Sequence, residues 1–288
     1  MVGKNNLNIY TFITRNSKVY AELLYKSMEK LKSDGNNILY WCVKTYDTFE
    51  KSYPLPDGWE CIGESGNCGH NSLNHAMAIH KALEHVKKNR CRYVIFCDPD
   101  ICILYKDWDK VIRKQLEKVQ FFGTAFQEGS KFYQKFPNVF FFCFRRHVLN
   151  MANLDFKPRI IKGLDSPVRK VIKGKRDVKA YNMPGGSILK CDTGYKLPEI
   201  AYNYSLYSNY MPMVLGKDNN SQLPFNVSIT QYELCMKKPT HMAEFHYNGK
   251  LFCSHKQASR NHPLNKEYGK AWKDRIDLYT QKEFGWQL

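Results

Sequence analysis

No two of the ten cysteines in this chain, at positions 42, 61, 68, 91, 97, 102, 143, 191, 235 and 253, have the C-x-x-C spacing. That absence argues against a structural zinc knuckle. Cys42, Cys97 and Cys143 lie inside apolar runs, where a free thiol packs as a small hydrophobe. No apolar run approaches the roughly 18 residues of a membrane span, and the opening MVGKNNLNIYTFITR has no export-type hydrophobic segment. A reducing, cytoplasmic setting is therefore expected, and the N-x-S sequons at Asn203, Asn219 and Asn226 carry no weight. No G-x-x-x-x-G-K-[ST] loop, H-E-x-x-H pair, helix-turn-helix, zinc finger or RNP motif is recognisable. Repeats, low-complexity tracts and linkers are missing as well, so a single unit over 1–288 is expected.

Acidic residues are also scarce. Asp and Glu number 27 against 44 Lys and Arg, leaving a formal charge of +17. Such a surface favours phosphorylated ligands, anionic surfaces or nucleic acid. The basic residues are spread along the chain, which argues against a specific nucleic-acid module; peripheral contact with an anionic surface is compatible. Hydrophobic residues make up 43% and aromatics 14%, enough to exclude a disordered chain.

Within this composition the periodicities are clear. Leu7–Thr14 reads as a buried strand, Val19–Lys32 as an amphipathic helix and Asn37–Lys44 as a second strand. That β-α-β opening implies parallel pairing. Ser72–Lys88 reads as a helix after the glycine-bearing GNCGHN, and Tyr93–Cys97 as the next strand. Ile101–Tyr105 is short and extended. Asp107 is placed to cap a helix over Trp108–Val119. Gln120–Phe126 and Asn138–Phe144 read as further strands, 158–190 as a basic loop region, and the remainder as mixed and aromatic with a basic tail.

The stretch RYVIFCDPDICILY (Arg92–Tyr105) places Asp98 and Asp100 at the carboxyl end of an apolar strand, where open α/β sheets bind ligands. Pro99 stops the ladder, and side chains at i and i+2 of an extended segment point the same way. Two carboxylates so placed repel one another unless a cation or proton neutralises them. Mg2+ or Mn2+, with phosphate oxygens completing the shell, suits such a pair. A solvated polar turn is the competing reading of the D-x-D taken alone.

The order of motifs resembles the GT-A glycosyltransferases. The resemblance is carried by the β-α-β opening, GNCGHNSLNHAMAIHKAL, the strand ending CDPD, and FPNVFFFCFRRHVL, all in roughly the first 150 residues. It implies a Rossmann-like fold with a mostly parallel sheet. It also implies a nucleotide-sugar half over 1–126 and an acceptor and catalytic half over 127–288. By the same resemblance Asp100 is a metal ligand and Asp98 a metal or ribose contact. Thr14 and Arg15 lie beside the nucleobase, and His70 and Asn74 near base and ribose. His255, preferred over His246, completes the shell around Mn2+ or Mg2+. The second strand departs from the family pattern, ending in Val43-Lys44-Thr45-Tyr46-Asp47 with Asp47 out of clear register.

The activity this implies is metal-dependent transfer of a hexosyl or pentosyl group from a nucleotide sugar, UDP-linked by expectation, to a glycan or other hydroxyl acceptor. Inversion requires a carboxylate base. Asp192, after the Gly185-Gly186 segment, is the candidate, with Asp165 and Glu128 in reserve and a helix-capping role for Asp192 open. A retaining route needs no such base. His75, His80 and His85 step by five residues, about 500° around a helix, and read as ordinary helical positions. The run VRKVIKGKRDVK (Val168–Lys179) reads as a solvated loop or a lid. Most tyrosines of AYNYSLYSNYMPM (Ala201–Met213) read as packing, with one or two in an acceptor groove. The competing functions are a Mg2+-dependent nucleotidyl- or phosphoryl-transfer enzyme and a basic nucleic-acid-binding protein.

Overall fold

A computed structural model describes residues 6–34, 37–45, 54–66, 71–125, 134–161, 188–191, 193–215, 242–256 and 265–288. The chain opens as β1 (Leu7–Ile13), α1 (Lys18–Leu31), β2 (Ile38–Thr45), β3 (Glu60–Ser65), α2 (Asn71–Lys88) and β4 (Tyr93–Cys97). It continues through β5 (Ile101–Ile103), α3 (Trp108–Leu116), β6 (Phe121–Thr124), β7 (Phe141–Arg145), α4 (Val148–Met151), β8 (Arg159–Ile161) and β9 (Ile188–Cys191). Next come α5 (Leu197–Asn203), β10 (Ser208–Met211), β11 (Met213–Leu215), β12 (Met242–Tyr247), β13 (Lys250–Lys256) and α6 (Asn265–Phe284).

Seven strands form the central sheet in the order β10-β6-β7-β4-β1-β2-β3, parallel except for β7. Each central strand is apolar on both sides because helices cover both faces. From β1, Leu7, Ile9 and Ile13 join Ala21, Leu24 and Met28 of α1 and Trp108 and Ile112 of α3. Tyr10 and Phe12, alternating with them, join Ala76, Ile79 and Leu83 of α2 on the opposite face. The outcome is a mixed α/β fold with a mostly parallel sheet flanked by helices, as the sequence implies.

A second, antiparallel sheet has the order β11-β12-β13-β5. The chain passes from β4 in the first sheet to β5 in the second within Asp98-Pro99-Asp100. Ser27 of α1 accepts the Ile103 N–H at 3.1 Å, and Phe252 accepts that of Leu104 at 2.8 Å. Helix α6 covers this sheet: Trp272 and Ile276 pack with Leu104, Met242 and Leu251, and the Trp272 indole donates to Ser254 at 2.9 Å.

Several elements differ from what the sequence implies. Strand β3 and helix α6 were not legible as elements, and a two-stranded ladder, β8-β9, forms at the two ends of 158–190, the stretch read as a basic loop. Asp107 does not cap α3 through its side chain; it takes a left-handed conformation (φ 56°) at the N-cap position. Its neighbour Asp109 makes the local bonds instead, accepting from the Ser33 N–H at 2.8 Å and the Ser33 hydroxyl at 2.7 Å. Tyr202, Tyr204 and Tyr207, expected mostly to pack, are exposed. Cys42, Cys97 and Cys143 are fully buried, as their apolar surroundings imply. Among the described residues, no helix is long and apolar enough to cross a membrane.

Candidate metal centre

β4 lies between β1 and β7, and its carboxyl end is fixed on both sides. The buried Thr11 hydroxyl donates to the Cys97 carbonyl at 3.0 Å. The Asp98 N–H donates to the Phe140 carbonyl at 2.8 Å. Two residues on, the Asp100 carbonyl accepts from the Lys256 N–H at 3.0 Å. The backbone of both aspartates is therefore held by neighbouring segments before any ligand arrives.

His255 reaches the pair through strand register. It sits opposite Ile101 in the β13-β5 ladder, one residue beyond Asp100. Its Nε2 lies 3.3 Å from Asp100 Oδ1 and 4.0 Å from Asp98 Oδ2. The ring packs on Phe140 with centroids 4.4 Å apart, and Nδ1 has no hydrogen-bond partner among the described residues. One potential donor atom from each of Asp98, Asp100 and His255 falls within a common 4.8 Å span. The histidine side chain is 7% exposed and the carboxylates are 20% and 25% exposed, so the cluster has a buried floor and an open mouth. Two anionic oxygens and one imidazole nitrogen suit a divalent cation, with room left for external oxygen ligands.

The charges around the cluster are asymmetric. Lys256 is buried behind it, with Nζ 5.1 Å from the centre of the Tyr20 ring. Burial lowers its pKa, and Asp100 partly opposes that shift. The Tyr20 hydroxyl is pushed upward by burial and then by Asp100. Cys97, immediately before Asp98, is wholly buried, and burial with the adjacent carboxylate raises its thiol pKa well above the ordinary value.

The other sequence candidates are distributed as follows. Thr14 follows β1, with its N–H donating to Ser17 Oγ at 2.8 Å. Arg15 opens the short 3-10 turn Arg15–Ser17. Asn74 is half-buried on α2. His246 is buried on β12 and is not part of the Asp98–Asp100–His255 cluster. Asp47, His70, Glu128, Asp165, the 168–179 run and Asp192 lie outside the described residues. Thr193, the residue after Asp192, donates through its hydroxyl to the Ser72 carbonyl in the first turn of α2 at 3.0 Å. Gly194 follows at φ +80°, where a Cβ would meet Val139 Cγ1 at 2.8 Å. Helix α5 begins only at Leu197, with Lys196 at its N-cap.

One close neighbour was not anticipated. His75 Nε2 lies 3.2 Å from Asp98 Oδ1. Counting along α2 could not reveal this contact, which depends on how that helix crosses the end of β1.

No protein-family model matches the chain, and no curated protein does. Among solved structures, the chain is similar to a mannosyltransferase, PcManGT, from Pyrobaculum calidifontis in complex with GDP-Man and Mn2+. That similarity has 13% identity and a TM-score of 0.37, over 52% of this chain and 47% of that one. The chain thus spans about half the length of that enzyme. It is also similar to the galactosyltransferase LgtC in complex with donor and acceptor sugar analogues, with 11% identity and a TM-score of 0.42 over 93% of this chain and 95% of that one.

Proposed function

We propose that this chain is a metal-dependent glycosyltransferase that moves a hexosyl or pentosyl group from a nucleotide sugar, UDP-linked in our reading, to a glycan or other hydroxyl acceptor. The observation carrying this reading is the convergence of Asp98, Asp100 and His255 from two sheets at the carboxyl end of β4. A cation held by that trio supplies positive charge to the diphosphate leaving group. Mn2+ and Mg2+ both suit the donor set.

The protein's own groups divide the remaining work. Asp100 and His255 provide donors from a rigid ladder, and Asp98 adds a third, beside the donor ribose. Thr14 and Arg15 flank the base at the end of β1, and His70 and Asn74 contact base and ribose. Excess basic charge draws the anionic donor toward the molecule. Asp192 takes the proton of the acceptor hydroxyl in an inverting displacement. The ligation of Asp192's neighbour Thr193 to the first turn of α2 supports this assignment, because that turn borders the donor side in the proposed arrangement.

Calorimetry with UDP and UDP-sugars, with and without Mn2+, tests the reading. Binding is expected to strengthen at least about tenfold when the ion is present, and Asp100→Ala is expected to abolish that gain while retaining the native circular dichroism. Ion-independent binding, or an Asp100→Ala variant with the full gain, would overturn the metal-dependent transferase. Salt-sensitive binding to random DNA, indifferent to UDP and Mn2+, would favour the nucleic-acid alternative.

A further inference from the structure

The two carboxylate oxygens of Asp98 have different neighbours. Oδ2 lies 4.0 Å from His255 Nε2, toward the metal cluster, whereas Oδ1 lies 3.2 Å from His75 Nε2. His75 comes from α2, on the face of the central sheet opposite α1. Asp98 is thus approached by imidazoles from two separate parts of the fold.

The His75 ring is itself well supported. It stands edge-on to Phe12, with ring centroids 5.1 Å apart and planes at 63°. Phe12 in turn packs edge-on to Phe96 of β4, with centroids 5.8 Å apart. The histidine is therefore braced through Phe12 of β1 against β4, the strand that leads into Asp98. Its Nε2 atom is shut off from solvent, and its 3.2 Å approach to Asp98 Oδ1 is an ion-pair distance rather than an aligned hydrogen bond, one that a small rotation of either group converts into such a bond.

A carboxylate can rotate and exchange its oxygens, and a group that occupies one oxygen fixes which lone pairs the other presents. Outer-shell groups act this way on metal-binding side chains. We infer that His75 is a positioning residue for Asp98, engaging Oδ1 so that Oδ2 is presented to a divalent cation shared with Asp100 and His255. The role needs an Nε2–H, which both the neutral Nε2–H tautomer and the charged ring supply. It rests on the metal site of the proposed transferase, but it assigns work to a residue outside that ligand set.

His75→Gln and His75→Asn separate this role from simple packing. Glutamine can bring an N–H close to the place of Nε2, whereas asparagine is too short to reach Asp98 Oδ1. Binding of manganese chloride alone is followed by the electron paramagnetic resonance signal of the free ion, in the unmodified chain and both variants. Urea midpoints measured without metal check that both variants are folded. The expected result is a Kd for Mn2+ weakened about 10- to 100-fold by His75→Asn and within about threefold of the parent for His75→Gln. Equal affinities in the two variants, whether strong or weak, would overturn the inference while leaving the metal site standing. Failure of the unmodified chain to bind Mn2+ would remove both the inference and the metal-dependent reading.

Discussion

Asp98 shows how little freedom an acidic side chain retains at the end of a central strand. Its N–H is held by Phe140, its predecessor's carbonyl by Thr11, and its two oxygens face His75 and His255. Positive charge brought to either oxygen offsets repulsion from Asp100. The contrast with Asp107 is informative. That residue looked like a helix cap by position, yet Asp109 makes the side-chain bonds, because Ser33 presents both its N–H and its hydroxyl to it. A carboxylate's role here depends on which donors the tertiary fold supplies. For Asp192 the proposed role is chemical. Asp192→Asn is expected to leave the donor Kd within about twofold while turnover falls at least 100-fold, the usual scale of general-base loss. Single-turnover assays with saturating donor measure this, and an unchanged rate would remove Asp192 from the site and favour a retaining route.

Elements differ in how openly their sequences announce them. β1, α1, β2 and β4 were legible because their apolar residues follow the strand or helix period without interruption. The D-x-D was legible because Pro99 and two charges end such a run. Strand β3 was hidden: its six residues are mostly exposed or half-buried at the sheet edge, and Glu60 and Glu64 break the apolar pattern. Helix α6 was hidden for another reason. Its buried stripe includes Gly269, Trp272, Ile276 and Tyr279, but also Arg275 and Thr280, so the inward face reads as polar. Arg275 is there because Glu244 of β12 is fully buried and accepts its guanidinium at 2.9 and 3.2 Å. Arg275→Ala strands that carboxylate and is expected to destabilise the fold by about 3–5 kcal/mol. Replacing both, as Glu244→Leu with Arg275→Met, is expected to restore most of the loss. Urea unfolding of the two variants checks the pair; equal losses in the single and double variants would contradict this account. The His255 position was visible as a strand end, but its meeting with Asp100 depends on a ladder between segments about 150 residues apart in sequence, beyond the reach of local periodicity.

At the scale of the whole molecule, the charge balance hides a group of histidines that resist protonation. Burial lowers the pKa of His80, His85, His147 and His246 below the ordinary 6.5. Asp155 opposes the shift at His80 and Glu244 does so at His246, while Lys88 and Arg145 add to it at His85 and His147. The unfolded chain therefore binds protons that the folded chain declines. Their contribution to stability is present above about pH 6.5 and is lost as pH falls through and below that value. Urea midpoints are expected to be flat from about pH 8 to 7 and to decline from about pH 6.5 to 5. A midpoint that rises on acidification would show that these rings gain partners on folding instead.

The pairing of His255 with Ile101 has a sharper corollary. Because side chains alternate across a strand, sliding β13 by a single residue along β5 would turn the imidazole away and put Ser254 or Lys256 in its place. A serine would leave the carboxylates without their nitrogen neighbour, and a lysine would install a fixed cation beside them. Alignment of those two strands thus acts as the combination of a lock: one notch off, the molecule could keep its shape and lose its chemistry.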